Sequence, residues 1–229
     1  MSTTESNRGH LLPIYVLADE STSMESHIDD LNDGLRSLHQ ALLGEPMAAA
    51  KVRFSVMGFS DDVVERVRMV DLRSAGEFPR LRTRGRTSYA LAFEDLVTRI
   101  PKDVAELKRE GYQIHRPAVF FLSDGQPTDD PGEWEAAHRR LTDRNLISAA
   151  PNIIACGLGA AHAITINNVA TRPEFGFIAD KGVDVGQAIA KFCTALTTSV
   201  IASGRSLSSA EPQLVVDRPE GFTMAIDVI

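Results

Sequence analysis

Cysteine is nearly absent. The 229 residues hold two, Cys156 and Cys193, both inside apolar segments. Two thiols so placed argue against a disulfide framework and fit buried groups in a reducing compartment. Basic charge is also short: 24 Lys and Arg against 31 Asp and Glu leave a formal net charge of −7. That balance argues against a general binder of nucleic acid or of anionic membranes, although a local basic patch is compatible with it. No apolar run approaches the roughly 20 residues that span a bilayer, and the opening MSTTESNRGH lacks the apolar core of a secretory leader. A soluble, cytoplasmic protein is expected. The six histidines (His10, His27, His39, His115, His138, His162) form no ligand spacing. Neither G-x-G-x-x-G nor a Walker lysine motif occurs, and no G-x-S-x-G nucleophile elbow is present.

What is present is an ordinary globular composition, 43% apolar and 24% charged, in a chain long enough for one large α/β domain or two small ones. Residues 1–10 are polar and expected to be disordered. Leu11 to Ala18 (LLPIYVLA) is apolar without alternation, as in a central strand covered on both faces. Thr22 and Glu25 have capping-box spacing, and Ile28, Leu31, Leu35, Leu38 and Leu42 then form an amphipathic stripe. The first unit is therefore βα.

Lys51 to Phe59 alternates, and Val63 to Leu72 follows a tight Ser60-Asp61-Asp62 turn, which predicts a hairpin with one antiparallel strand at a sheet edge. An arginine-rich loop over 73–87 precedes a helix from Ser88, and Pro101 is expected to begin a separate turn or helix that closes at Gly111. PAVFFL (117–122) is a second central strand. Asp130-Pro131-Gly132-Glu133 starts a helix carrying Trp134, Ala137 and Leu141. NIIACGL (152–158) is a third apolar strand, followed by a short helix near 163–171, a strand from Phe175 to Ala179, and a last helix marked by Val185, Ile189, Phe192, Leu196 and Val200. This order predicts an α/β, Rossmann-like, doubly wound and mostly parallel sheet with helices on both faces. Residues 204–229 read as a Ser-rich linker and a C-terminal hairpin turning at Arg218-Pro219-Glu220-Gly221. The hairpin is expected to join an edge of its own sheet, with strand addition to a partner as the alternative.

In such sheets ligands bind beyond the carboxyl ends of the strands, where strand order reverses. Two central strands here end in an acid, Asp19 and Asp124. The turn after the first, Asp19-Glu20-Ser21-Thr22-Ser23, offers three short oxygen groups at alternate positions. Taken alone it is equally a helix-capping turn. With Asp124 and with Thr87, at a loop–helix junction, it becomes a set of hard oxygen ligands suited to Mg²⁺, Mn²⁺ or Ca²⁺. Asp61, Asp62, Asp129 and Asp130 read as turn and cap residues.

The D-x-S-x-S turn, the Gly-Arg-Thr-Ser segment with Thr87 and the strand-end Ser-Asp-Gly with Asp124 resemble, in order and spacing, the metal-ion-dependent adhesion site of von Willebrand factor type A domains. The resemblance covers residues 11–203. LPIYVLADESTSM, VFFLSDGQPTDD and IIACGLG are most similar to bacterial A-domain proteins of tellurium-resistance and related stress clusters. The resemblance implies Mg²⁺ (or Mn²⁺) bound by Ser21 and Ser23, with Thr87 direct or through water, and Asp19 and Asp124 orienting the hydroxyls and coordinating waters. It implies capture of a partner protein's acidic group by the ion, no catalysis, and a kinase or phosphatase encoded nearby as the natural partner. Glu20 departs from the small or neutral residue often found at its position, and Arg82, Arg84 and Arg86, spaced by two, are expected to join it as a partner-binding rim beside the metal. A solvated basic loop is the alternative for the arginines. A competing expectation is a phosphoryl-transfer enzyme or phosphoacceptor using the same acidic crevice. Against it, Ser21 stands where a haloacid-dehalogenase-type enzyme needs a second Asp, and no Lys ends NIIACGL as a receiver domain would require.

Overall fold

The computed structural model describes residues 8–228. Its eight strands are β1 (His10–Asp19), β2 (Val52–Phe59), β3 (Val63–Val70), β4 (Gln113–Ile114), β5 (Ala118–Ser123), β6 (Asn152–Gly157), β7 (Gly176–Ala179) and β8 (Phe222–Met224). They form one sheet in the order β3-β2-β1-β5-β6-β7-β8, with β4 pairing the start of β1. The ladders β2–β1, β1–β5, β5–β6 and β6–β7 are parallel. β3 runs antiparallel at one edge, as the short turn predicts, and β8 is a second antiparallel strand at the other. Every residue of β2, β5 and β6, and all of β1 past His10, is buried. This explains why LLPIYVLA and PAVFFL do not alternate: both faces are covered.

The cover comes from α1 (Ile28–Leu43), α2 (Pro46–Ala49) and α6 (Val185–Ser206), which pack on one another, and from the pair α3 (Tyr89–Arg109) and α4 (Pro131–Thr142). The short α5 (Ala163–Val169) packs against β6 and β7. Leu31, Leu35, Leu38 and Leu42 bury the α1 stripe, and Tyr89, Phe93, Leu96 and Ile100 that of α3.

Four expectations change. Residues 1–7 lie outside the described residues, but residues 8–10 are ordered: the Arg8 amide donates to the Gly111 carbonyl at 3.0 Å and His10 opens β1. Pro101 does not divide α3; it sits inside one 21-residue helix. The stripe continues across it through Val104 and Leu107, both buried, and this packing outweighs a proline defect of about 3 kcal/mol. The supposed Ser-rich linker begins inside α6, which runs to Ser206. Finally, the first arm of the expected C-terminal hairpin is no strand. Residues 213–217 lie extended along α6, where a ladder of serines takes their backbone amides: Gln213, Val215 and Asp217 donate to the hydroxyls of Ser206, Ser203 and Ser199, each at 2.9 Å. One-turn spacing on the helix thus matches the two-residue repeat of the extended chain. Only β8 reaches the sheet.

α6 is also the one helix among the described residues long and apolar enough to cross a membrane by length and composition. Its buried face, including Ile189, Phe192, Leu196 and Val200, belongs to the core.

Candidate metal site

Strand order reverses at β1, which has β2 on one side and β5 on the other. The crevice at the carboxyl ends of β1 and β5 is therefore the switch point of the sheet. Asp19 closes β1 and is fully buried. One of its oxygens, Oδ1, accepts the Ser21 amide at 2.8 Å, which folds the turn back on itself. The other, Oδ2, accepts the Ser123 hydroxyl at 2.6 Å from the end of β5. The hydroxyls of Ser21 and Ser23 lie 3.0 Å apart, and Ser23 Oγ donates to Asp124 Oδ1 at 2.7 Å.

Thr87 is buried, and its carbonyl accepts the amide and hydroxyl of Thr128 at 2.8 and 3.0 Å. A Cβ placed on Gly125, next to Asp124, would stand 4.0 Å from Thr87 Oγ1. Asp19, Ser21, Ser23 and Asp124 therefore form one hydrogen-bonded cluster, with Thr87 beside the neighbouring Gly125, across separations of up to 105 positions in the chain. The Thr22–Glu25 capping box does not form. Thr22–Ser26 is a 3-10 turn without a side-chain cap, and Thr22 Oγ1 donates instead to the Gly85 carbonyl at 3.0 Å.

Burial pushes the Asp19 carboxyl up to about 6; the hydrogen bonds from Ser123 and Ser21 act in the opposite direction and the Asp124 charge adds to the rise. Tyr89, beneath the site, donates to the Gly125 carbonyl at 3.2 Å and stacks edge-on to Phe121; burial raises its phenol as well. Three hydroxyls and two carboxylates make an all-oxygen donor set. An all-oxygen set of this kind suits a hard divalent cation, although among the described residues no group of three or more His, Cys, Asp or Glu is placed to hold an ion.

The expected partner-binding rim is not one surface. Glu20 is fully buried and points away from the crevice into a cluster of arginines. Its carboxylate accepts Arg66 Nη2 at 2.8 and 3.0 Å, Arg66 Nε at 3.1 Å, Arg84 Nε at 2.7 Å and the Arg82 amide at 2.9 Å. Gly58 faces it, and any Cβ there would overlap the carboxylate. Glu20 is thus corrected from rim to interior, and Arg84 is half-buried and turned towards it. A buried carboxylate needs paired cations, and Arg84, which also pairs with Asp62, supplies one. Arg82 and Arg86 do keep exposed side chains, so the spacing of two holds for them only in part. Glu20 serves the site indirectly, by fastening the loop that leads to Thr87.

Three further contributors were not legible as such. Ser123 positions Asp19. Asp61 accepts the Arg86 amide at 3.1 Å and so holds the same loop. Asp129 accepts Ser88 Oγ at 2.7 Å and the Ala90 amide at 2.8 Å, capping α3 from another loop. Its role as a cap is as expected, but the helix it caps lies some forty positions away, and no local pattern signals that.

No sequence-family model matches the chain, and no curated protein sequence is similar to it. Solved structures are. A von Willebrand factor type A protein from Catenulispora acidiphila matches with a TM-score of 0.52 and 13% identity, over 95% of this chain and 56% of the other. The pilus adhesin SpaC from Lactobacillus rhamnosus GG matches with a TM-score of 0.64 and 13% identity, over 85% of this chain and 30% of that one. Proximal thread matrix protein 1 from the mussel byssus, in a structure with a zinc-occupied MIDAS motif, matches with a TM-score of 0.56 and 13% identity, over 85% and 48%. The chain spans half or less of the mussel and pilus proteins. Its fold is that of a von Willebrand factor type A domain: a mostly parallel α/β sheet of Rossmann-like form.

Proposed function

We propose that this protein is a divalent-cation-dependent protein-interaction module that captures a carboxylate of a partner protein. The carrying observation is the convergence of Ser21, Ser23 and Asp124 in one hydrogen-bonded chain, with Asp19 and Thr87 beside it. The hydroxyls of Ser21, Ser23 and Thr87 would hold Mg²⁺ or Mn²⁺, and Asp19 and Asp124 would orient them and any coordinating water. When bound, the ion supplies a Lewis-acidic position for an anionic oxygen. With neutral hydroxyls as its direct ligands and only two carboxylates behind them, the ion would keep a net pull on a further anionic ligand, the partner's acid. The zinc-occupied site of the mussel protein supports divalent binding in this fold. Resemblance to A-domain proteins of tellurium-resistance clusters supports a place in a bacterial stress or signalling complex, with a kinase or phosphatase as partner.

The reading is of a binder rather than an enzyme. Both oxygens of Asp19 are engaged, by Ser21 N and by Ser123 Oγ, so it is poorly disposed to act as a nucleophile or phosphoacceptor. The test is partner retention on immobilised protein. A partner held in Mg²⁺ should be released by EDTA and never retained by Ser21→Ala. Retention indifferent to EDTA would overturn the reading.

A further inference from the structure

Beside the candidate metal site, at the carboxyl ends of β6 and β7, lies an open cavity of about 530 Å³. Gly159, Ile164, Ile178, Val183 and Val228 give it an apolar lining, and Lys181 stands at its rim. Ile164 is 76% exposed and Val228 37% exposed, although apolar side chains of this size are ordinarily covered when they cluster. Of the two charged residues there, Asp180 accepts the Thr223 hydroxyl at 2.6 Å, whereas Lys181 makes no ion pair among the described residues.

The cavity adjoins the segment that carries Asp124, through the lining residue Gly159. Gly159 has φ +51, and a Cβ built on it would stand 3.3 Å from the Asp124 carbonyl oxygen and 3.9 Å from Asp124 Cβ. The cavity-lining Gly159 therefore packs directly against Asp124, with Val185 Cγ2 the next atom, 3.7 Å from that Cβ. The connection is also hydrogen-bonded. The Ala160 amide donates to the Asp124 carbonyl at 2.9 Å, and Thr165 on α5 donates to Gln126 Oε1, two residues past Asp124, at 2.9 Å. The segment that carries Asp124 is thus fastened to the cavity wall through Gly159, Ala160 and Thr165.

We infer that this cavity is the second half of the recognition surface: it takes a large aliphatic side chain of the same partner segment whose carboxylate binds the ion. The inference rests on the metal-dependent reading above and names the ligand class, an acidic residue followed closely by a leucine-like one. The carboxylate gives the ion-dependent anchor, the apolar side chain gives affinity through burial, and Lys181 favours an overall acidic segment.

The experiment uses the full chain in Mg²⁺ and acetylated Asp–Gly–Leu amides with one to three glycines, each compared with its Asp–Gly–Ala counterpart by NMR titration. Mn²⁺ binding is measured separately by electron paramagnetic resonance. At one spacer length the Leu peptide should bind about tenfold more tightly than the Ala peptide. That advantage should vanish in Ile164→Asp, a substitution at an exposed position, and in Ala163→Trp, which fills the cavity. Both variants should retain Mn²⁺ binding. If Mn²⁺ and the Ala peptides bind but Leu gains nothing at any spacer, the cavity inference falls and the metal reading stands. If folded protein binds no Mn²⁺, both fall. If Ile164→Asp instead abolishes self-association and leaves the Leu preference intact, the patch joins two copies of the chain and the inference is overturned.

Discussion

Arg84 holds Glu20 twice: its Nε donates to Glu20 Oε2 at 2.7 Å, and its own amide donates to the Glu20 carbonyl. Side chain and backbone together clamp the loop before Thr87 onto the turn between Asp19 and Ser21. The chain thereby places a fully buried carboxylate between two candidate metal-site residues while committing it to Arg66, Arg82 and Arg84. Glu20→Gln would leave Arg66 without its charge partner and Arg84 with Asp62 alone, at a cost of about 3–5 kcal/mol. For a chain of this size that is a fall in melting temperature on the order of 10 °C. Calorimetry checks it, and a midpoint unchanged within a degree or two would show that the cluster adds nothing to stability.

The cap on α3 should tie stability to the site. Asp129→Ala removes the acceptor for Ser88 Oγ and the Ala90 amide, a loss of about 1–2 kcal/mol. Since Thr87 immediately precedes that capped turn, Mn²⁺ affinity should weaken several-fold in the same variant. Urea unfolding and a Mn²⁺ titration measure the two effects. A destabilised protein with undiminished affinity would separate the cap from the site.

Asp19 sets a pH dependence whose sign can be worked out. Its carboxyl titrates near 6 in the folded chain, against an ordinary value of 3.8. A raised value means that the folded state holds the proton more tightly. The associated stability is fully present below about pH 4 and is lost as pH rises through 6, an effect on the order of 3 kcal/mol. Metal-free wild type should therefore lose stability relative to Asp19→Asn across that window, and saturating Mg²⁺, which favours the ionised carboxylate, should recover it. Parallel pH profiles for the two metal-free proteins would contradict the assignment.

The serine ladder on α6 carries the C-terminal segment. Ser203 both accepts the Val215 amide at 2.9 Å and donates to the Val215 carbonyl at 3.1 Å. Replacing Ser199, Ser203 and Ser206 together by Ala should strip the partners from residues 213–217, at roughly 1 kcal/mol per bond. Hydrogen exchange at Gln213, Val215 and Asp217 should accelerate by one to two orders of magnitude, while β5 and β6 stay protected. Unchanged protection would mean that apolar packing of Leu214 and Val216 alone holds the segment.

How much of this was legible depended on range. Leu31, Leu35, Leu38 and Leu42 showed α1 because helical spacing is a local signal, and the apolar runs before Asp19 and Asp124 showed that those strands are central. The five candidate residues stood out because Asp19 and Asp124 follow apolar strands, Thr87 precedes a helix, and Ser21 and Ser23 alternate in the turn after Asp19. What sequence hid was partnership across the fold. Alternation along 82–86 suggested three arginines on one side, but the buried Glu20 draws Arg84 inward. Pro101 read as a boundary because its local cost is visible, whereas the burial of Val104 and Leu107 that offsets it is not. Ser206 read as part of a linker, and nothing local shows that it, Ser203 and Ser199 bind residues 213–217.

The central claim is that Ser21, Ser23, Thr87, Asp19 and Asp124 form one divalent-cation site. Titration of Mn²⁺ into the full chain, followed by electron paramagnetic resonance, tests it most directly, with Ser21→Ala and Asp124→Asn as paired variants whose fold is verified by circular dichroism. One saturable Mn²⁺ per chain, displaced by Mg²⁺ and lost or weakened at least tenfold in both variants, is the expected result. Absence of saturable binding in the folded wild type, or equal binding in the folded variants, would contradict it.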